Sequence, residues 1–74
     1  MTLKALDLFS GVGGWTLACE AKGIATVAAC ELDAWKRAQY AAHFPDVHLY
    51  DDVRSLTAKR LADDGCGAID VVVG

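Results

Sequence analysis

The chain has 74 residues, a net charge of −3 and 54% hydrophobic content, which bounds it to one small domain with a modest core. That acidic balance excludes the broad basic face of a free-standing nucleic-acid binder. No apolar run is long enough for a membrane-spanning helix, and the start lacks the basic and apolar stretches of a secretory signal. The three cysteines, Cys19, Cys30 and Cys66, are odd in number and form no Cys-x-x-Cys pair, which argues against a disulfide framework or zinc site and points to a reducing, cytoplasmic setting.

Leu3 to Phe9 is apolar apart from Lys4 and Asp7, the pattern of a strand buried on both faces. The run Gly11-Val12-Gly13-Gly14 follows, and its glycines let the backbone take positive φ and approach a ligand closely. A helix is predicted from about Gly13 to Lys22, with Trp15, Ala18 and Cys19 on one side and Gly23 as its stop. Its N-terminal amides face the turn and favour an electron-rich partner. Ile24 to Cys30 reads as a second strand. Asp33 is placed to cap a helix from Ala34 to His43, which Pro45 ends.

Val47 to Tyr50 reads as a third strand. Ser55 is placed to cap a third helix running through Ala62, with Gly65 or Gly67 beyond it. Asp63 and Asp64 oppose the dipole there. Ile69 to Val73 is the fourth strand. The order β-α-β-α-β-α-β with short connections predicts an α/β fold with a mostly parallel sheet and right-handed crossovers. Ligands in such folds bind beyond the carboxyl ends of the strands. Phe9 to Gly14, Glu31 and Asp52 all follow strands and therefore meet at one sheet edge.

A glycine turn after the first strand and a carboxylate ending the second is a nucleotide-pocket arrangement. Glu31 stands 20 positions after Gly11, the spacing of a ribose-binding acid. The pattern is G-x-G-G, not G-x-G-x-x-G, and Phe9 and Ser10 occupy the turn where a pyrophosphate needs bare backbone. An aromatic beside the turn suits stacking on adenine, so the reading is an adenosine-type cofactor other than NAD. Each residue also has a plainer role. The glycines serve a tight turn, Phe9 a core, Glu31 a helix start, and Asp52 a cap or turn in competition with Asp51. Asp33 reads as a cap, Trp15 and Trp35 as helix–sheet packing, and Cys30 as a small buried hydrophobe. His43 and His48 read as surface or turn residues, and Lys36-Arg37 and Lys59-Arg60 as solvated faces.

The chain resembles the N-terminal part of DNA (cytosine-5) methyltransferases. The matching stretches are Asp7-Leu8-Phe9-Ser10-Gly11-Val12-Gly13-Gly14, Glu31-Leu32-Asp33, Tyr40-Ala41-Ala42-His43-Phe44-Pro45, Asp51-Asp52-Val53 and Ile69-Asp70-Val71-Val72-Val73-Gly74. The resemblance implies a Rossmann-like class I methyltransferase half-sheet with strand order 3-2-1-4 and S-adenosylmethionine as cofactor. Phe9 would stack on adenine, with Ser10 beside it in the turn. Gly11, Gly13 and Gly14 would wrap the methionine portion, and Asp7 would support that turn. Glu31 would hold the ribose hydroxyls and Leu32 would pack on the adenosine. Asp52 would accept the adenine amino group, with Val53 as an apolar neighbour.

In the family, the strand matching Ile69 to Val73 runs into a Gly-x-Pro-Cys loop whose cysteine attacks C6 of a flipped cytosine. None of the cysteines here has that context. The resemblance therefore implies a cofactor-binding portion over residues 1–74, inactive alone, that meets DNA through the remainder of an enzyme, including one of restriction-modification type. Alternatives are one half of a split methyltransferase, a non-catalytic cofactor-binding or assembly module, and a Rossmann oxidoreductase. Strand four, with Val71, Val72 and Val73, would be an open edge, which predicts self-association or a complementing chain.

Overall fold

Four parallel strands form one sheet in the order β3-β2-β1-β4, as expected. The fold is taken from a computed structural model that describes residues 2–74. The elements are β1 (Lys4–Asp7), α1 (Gly14–Ala21), β2 (Ala25–Cys30), α2 (Ala34–His43), β3 (His48–Tyr50), a 3-10 turn (Val53–Ser55), α3 (Ala58–Asp63) and β4 (Val71–Val73). Asp7 is level with Ala29 and Val73, and Cys30 with Tyr50, so the carboxyl ends finish together. The ladder continues into the loops. Leu8 donates to the Val73 carbonyl at 2.8 Å, Ser10 to Cys30 at 3.1 Å, and Glu31 to Tyr50 at 2.9 Å. The turn carrying Phe9 and Gly11 is thereby fixed beside the end of β2.

Alternation along the strands divides the buried residues between two faces. On one face Leu6, Ala28, Cys30 and Tyr50 pack with Leu61 of α3 and Cys66. On the other lie Ala5, Asp7 and Ala29, all fully buried, with Thr16 and Cys19 of α1 and Tyr40 of α2. Small strand residues on this face let α1 approach the sheet closely.

The packed side of α1 differs from expectation. Thr16 and Cys19 turn inward, whereas Ala18 is exposed and Trp15 is 54% exposed; Trp35 of α2 is 67% exposed. Buried Asp7 requires a hydroxyl partner, which rotates Thr16 inward and puts Trp15, one position away, outside. The tryptophans therefore do not pack helix against sheet.

The third helix also begins later than expected. Asp52 caps the 3-10 turn through the Arg54 amide, Leu56 is extended, and Thr57 caps α3 by accepting the Arg60 amide at 3.1 Å. Ser55 instead donates its hydroxyl to the Asp52 carbonyl at 2.8 Å. The extended backbone at Leu56 sends its side chain to the core before the helix starts. Asp63 is offset by Lys59 at 2.8 Å, and Asp64 accepts the Tyr50 hydroxyl at 2.6 Å. Two acids are thus accommodated at a helix end that would otherwise repel them. Strand β4 is confined to Val71–Val73, while Ile69 packs on the core and Asp70 accepts the Lys4 amide at 2.9 Å.

Candidate functional site

The glycine turn is left-handed where only glycine is at ease: Gly11 has φ 54° and Gly13 has φ 110°. A Cβ on Gly13 would run into the Phe44 ring, while a Cβ on Gly11 or Gly14 would meet open space. The turn is thus packed behind and open in front. No side chain caps α1 at Gly13, so its first amides are free to face that space.

Glu31 joins this turn to the end of β2. One carboxylate oxygen accepts the Gly11 amide at 2.9 Å and the other accepts the Asp33 amide at 2.7 Å. Each oxygen keeps acceptor capacity for a further donor. Arg37 steadies the same corner by donating to the Glu31 carbonyl at 2.9 Å and the Leu32 carbonyl at 2.7 Å. The Lys36-Arg37 pair is therefore divided. Lys36 is exposed, whereas half-buried Arg37 is a structural clamp rather than part of a solvated face.

Behind the turn lies a buried polar chain. The Thr16 hydroxyl donates to Asp7 Oδ2 at 3.2 Å and lies 2.7 Å from the Tyr40 hydroxyl. Thr16 has one proton and spends it on Asp7, so with Asp7 ionised Tyr40 is the donor to Thr16. Burial pushes the Tyr40 phenol up to about 12, which keeps that proton in place. Burial likewise raises Asp7, against hydrogen bonding from Thr16 and the Phe9 amide. Asp7 Oδ1 and the Ser10 hydroxyl are buried with no partner among the described residues.

A cavity of about 280 Å³ opens beside Glu31, walled by Leu8, Phe9, Cys30, Glu31, Leu32, Asp51, Asp52, Val53 and Arg54. Its walls are mostly apolar with acids at the rim, and Phe9 is 64% exposed. Asp52 is gripped by Arg54, whose Nη2 lies 2.8 Å from Oδ2 and whose backbone amide lies 2.9 Å from Oδ1. These hydrogen bonds hold Asp52 below its ordinary value. Burial raises the Cys30 thiol, with Asp52, Asp51 and Glu31 adding to the effect. A larger cleft of about 460 Å³ lies on the α3 face next to β4, lined by residues including Leu6, Leu56, Leu61, Ile69 and Val72. It carries no acid; Leu8 and Val53 wall both spaces, and Glu31 lines only the smaller one.

Phe9, Glu31, Leu32, Asp52 and Val53 therefore meet at one cavity, and Gly11 is tied to it through Glu31. Asp7, Ser10 and Gly13 sit buried behind the turn. Sequence reasoning assigned no such role to Thr16, Tyr40, Arg37 or Arg54. Arg54, two positions from Asp52, was the one legible from spacing; the Thr16–Tyr40 contact spans 24 positions and leaves no local pattern.

Residues 3–74 match the profile of the C-5 cytosine-specific DNA methylase family. The chain belongs to that family. It is 35% identical over 54 residues to the type II methyltransferase M2.BsuMI of Bacillus subtilis (strain 168), a match covering 73% of this chain and 14% of that protein. The fold is similar to that of a DNA modification methyltransferase encoded within an E. coli prophage, with TM-score 0.84 and 32% identity over 95% of this chain and 21% of that one. It is also similar to a mutant of Spodoptera frugiperda DNMT2, with TM-score 0.77, 26% identity and the same coverage of 95% and 21%. The chain thus spans a seventh to a fifth of the length of these relatives. Among the described residues no helix is long and apolar enough to cross a membrane.

Proposed function

We propose that this chain is the S-adenosylmethionine-binding part of a DNA (cytosine-5) methyltransferase, of the kind that serves restriction-modification. The observation that carries this reading is the meeting of Phe9, Glu31, Leu32, Asp52 and Val53 at one cavity beside an open glycine turn. The cofactor fits what is there. A cavity of about 280 Å³, near the lower end of small-molecule sites, suits the adenosine. The open space in front of Gly11 and Gly14 suits the methionine portion. Phe9 offers an aromatic face to adenine, Asp52 an acceptor for its amino group, and Val53 an apolar edge. Leu32 packs on the adenosine, and Glu31 keeps acceptor capacity for ribose hydroxyls. With Asp52 paired to Arg54, Glu31 and Asp51 leave the cavity net negative, which favours a positively charged ligand. Bound there, the cofactor supplies an electrophilic methyl group.

Cys19, Cys30 and Cys66 are buried, and a buried thiol in apolar surroundings is a poor nucleophile. The nucleophile and the surface that reads DNA therefore belong to further polypeptide. The β4 edge supports this reading, since Val72 is 58% exposed beside the apolar cleft of about 460 Å³. About four-fifths of each structural relative lies outside the match, and further methyltransferase polypeptide is the occupant proposed for that edge.

The test is a titration of the purified chain with S-adenosylmethionine, followed by amide NMR. Saturable shifts at Gly11 to Gly14, Glu31 and Asp52, lost in Glu31→Ala and not produced by NADH, are expected. A dispersed spectrum that does not respond to S-adenosylmethionine overturns the reading for this chain.

A further inference from the structure

Helix α2 touches both halves of the cofactor site. Arg37 holds the Glu31 and Leu32 carbonyls at the end of β2. One turn later, on the same side of the helix, Tyr40 reaches Thr16 of α1 at 2.7 Å, and Thr16 reaches Asp7 at 3.2 Å. Asp7 ends β1 and Thr16 lies in the first turn of α1, so their bond closes the loop that carries Gly11 to Gly14. All three side chains are fully buried. One Asp7 oxygen has no partner among the described residues, a cost that an apolar core would avoid.

We infer that Thr16 and Tyr40 are positioning residues: acting through Asp7, they set where the glycine-turn amides point relative to Glu31. This inference rests on the cofactor reading for its ligand, and the network itself predicts a division of labour. The glycine turn faces the methionine portion of the ligand, whereas Phe9, Glu31 and Asp52 face the adenosine. Loosening the network therefore weakens recognition of the methionine portion selectively. A role in stability alone would weaken both equally.

The experiment compares Thr16→Val, Thr16→Ser and Tyr40→Phe in the full chain, each titrated with S-adenosylmethionine and, separately, with adenosine. Thr16→Val is expected to lose about tenfold in affinity for S-adenosylmethionine, the scale of one charge-assisted hydrogen bond, and Tyr40→Phe about fivefold, the scale of a neutral one. Adenosine affinity stays within about twofold, and Thr16→Ser restores wild-type behaviour. Equal losses for both ligands, or no loss in Thr16→Val, overturn the inference. Hydrogen exchange supplies a readout without ligand. The Gly13 amide, bonded to the Ser10 carbonyl at 2.8 Å, exchanges faster in Thr16→Val and is restored in Thr16→Ser. If the wild-type chain binds neither ligand, the cofactor reading fails, and unchanged Gly13 exchange would then refute the positioning role on its own.

Discussion

Glu31 accepts the Gly11 amide at 2.9 Å across 20 positions of sequence. The bond ties the glycine turn to the end of the neighbouring strand. The same carboxylate accepts Asp33 at 2.7 Å, so it aligns the α2 cap as well. The acid read from sequence as a ribose holder or a helix-start residue thus also holds the glycine turn in shape.

Glu31→Ala is accordingly expected to lose stability as well as ligand. Two hydrogen bonds to a charged acceptor disappear, and about 2 kcal/mol is the expected loss because the site is half-buried and water replaces part of it. Glu31→Gln keeps one acceptor oxygen and is expected to lose about half as much. Urea denaturation of the three proteins measures this. Equal stability of wild type and Glu31→Ala would show that the clasp contributes nothing.

The two positive-φ glycines of the turn, Gly11 and Gly13, respond differently to a methyl group. Gly11→Ala has open space and carries only the left-handed backbone penalty, about 1 kcal/mol. Gly13→Ala adds a collision with the Phe44 ring, so about 3 kcal/mol or more is expected. Thermal melts of the pair check the ordering, and a Gly11→Ala protein less stable than Gly13→Ala contradicts it.

Much of this was legible in the sequence. Short apolar strands separated by helix caps specify parallel β-α units, and glycines and acids just after strands land on one edge because parallel strands share a direction. Local signals also misled. Ser55 is a good cap by type, yet Thr57 caps α3 because Leu56 must first reach the core. The tryptophans look like packing residues, but burial on this face is decided by Asp7. No spacing rule announces that an acid ending a strand will draw Thr16, and through it Tyr40, inward. Side-chain networks that cross several elements are fixed by tertiary packing.

Asp7 gives the fold a pH dependence of definite sign. Burial raises its pKa in the folded state above the ordinary 3.8, so the folded chain binds this proton more tightly than the unfolded chain. Its stabilising contribution is complete below the unfolded value and is lost as pH rises through the raised folded value. Asp7→Asn carries no such proton. Relative to wild type, it is expected to gain stability between about pH 3 and about pH 7. Subtracting the two profiles removes the opposite dependence of Asp52, whose lowered pKa stabilises the fold above 3.8 and is lost on acidification. Chemical denaturation at the two pH values measures the difference, and a constant gap would exclude Asp7 as its source.

The β4 edge makes a prediction about association. Val72 is 58% exposed, next to an apolar cleft on an edge strand that pairs with β1 on one side, and the isolated chain leaves the other side open to a second copy. Wild-type chain is expected to associate as concentration rises. Val72→Lys is expected to remain monomeric, with stability within about 0.5 kcal/mol of wild type because the side chain is on the surface. Size-exclusion chromatography with light scattering separates the cases. A wild-type chain that is monomeric at every concentration counts against the edge as a docking surface.

Phe9 separates binding from folding. At 64% exposure its ring contributes little to the core, yet it stands on the cavity wall beside Glu31 and Leu32. Stacking of a base on an aromatic side chain is worth about 1–3 kcal/mol by alanine substitution. Phe9→Ala is therefore expected to weaken adenosine and S-adenosylmethionine alike by about tenfold and to leave the melting temperature nearly unchanged. Phe9→Tyr keeps the aromatic face and restores affinity. Calorimetric titration beside a thermal melt gives both readings. A large drop in melting temperature would assign Phe9 to the core, and unchanged affinity would remove adenine stacking from its role.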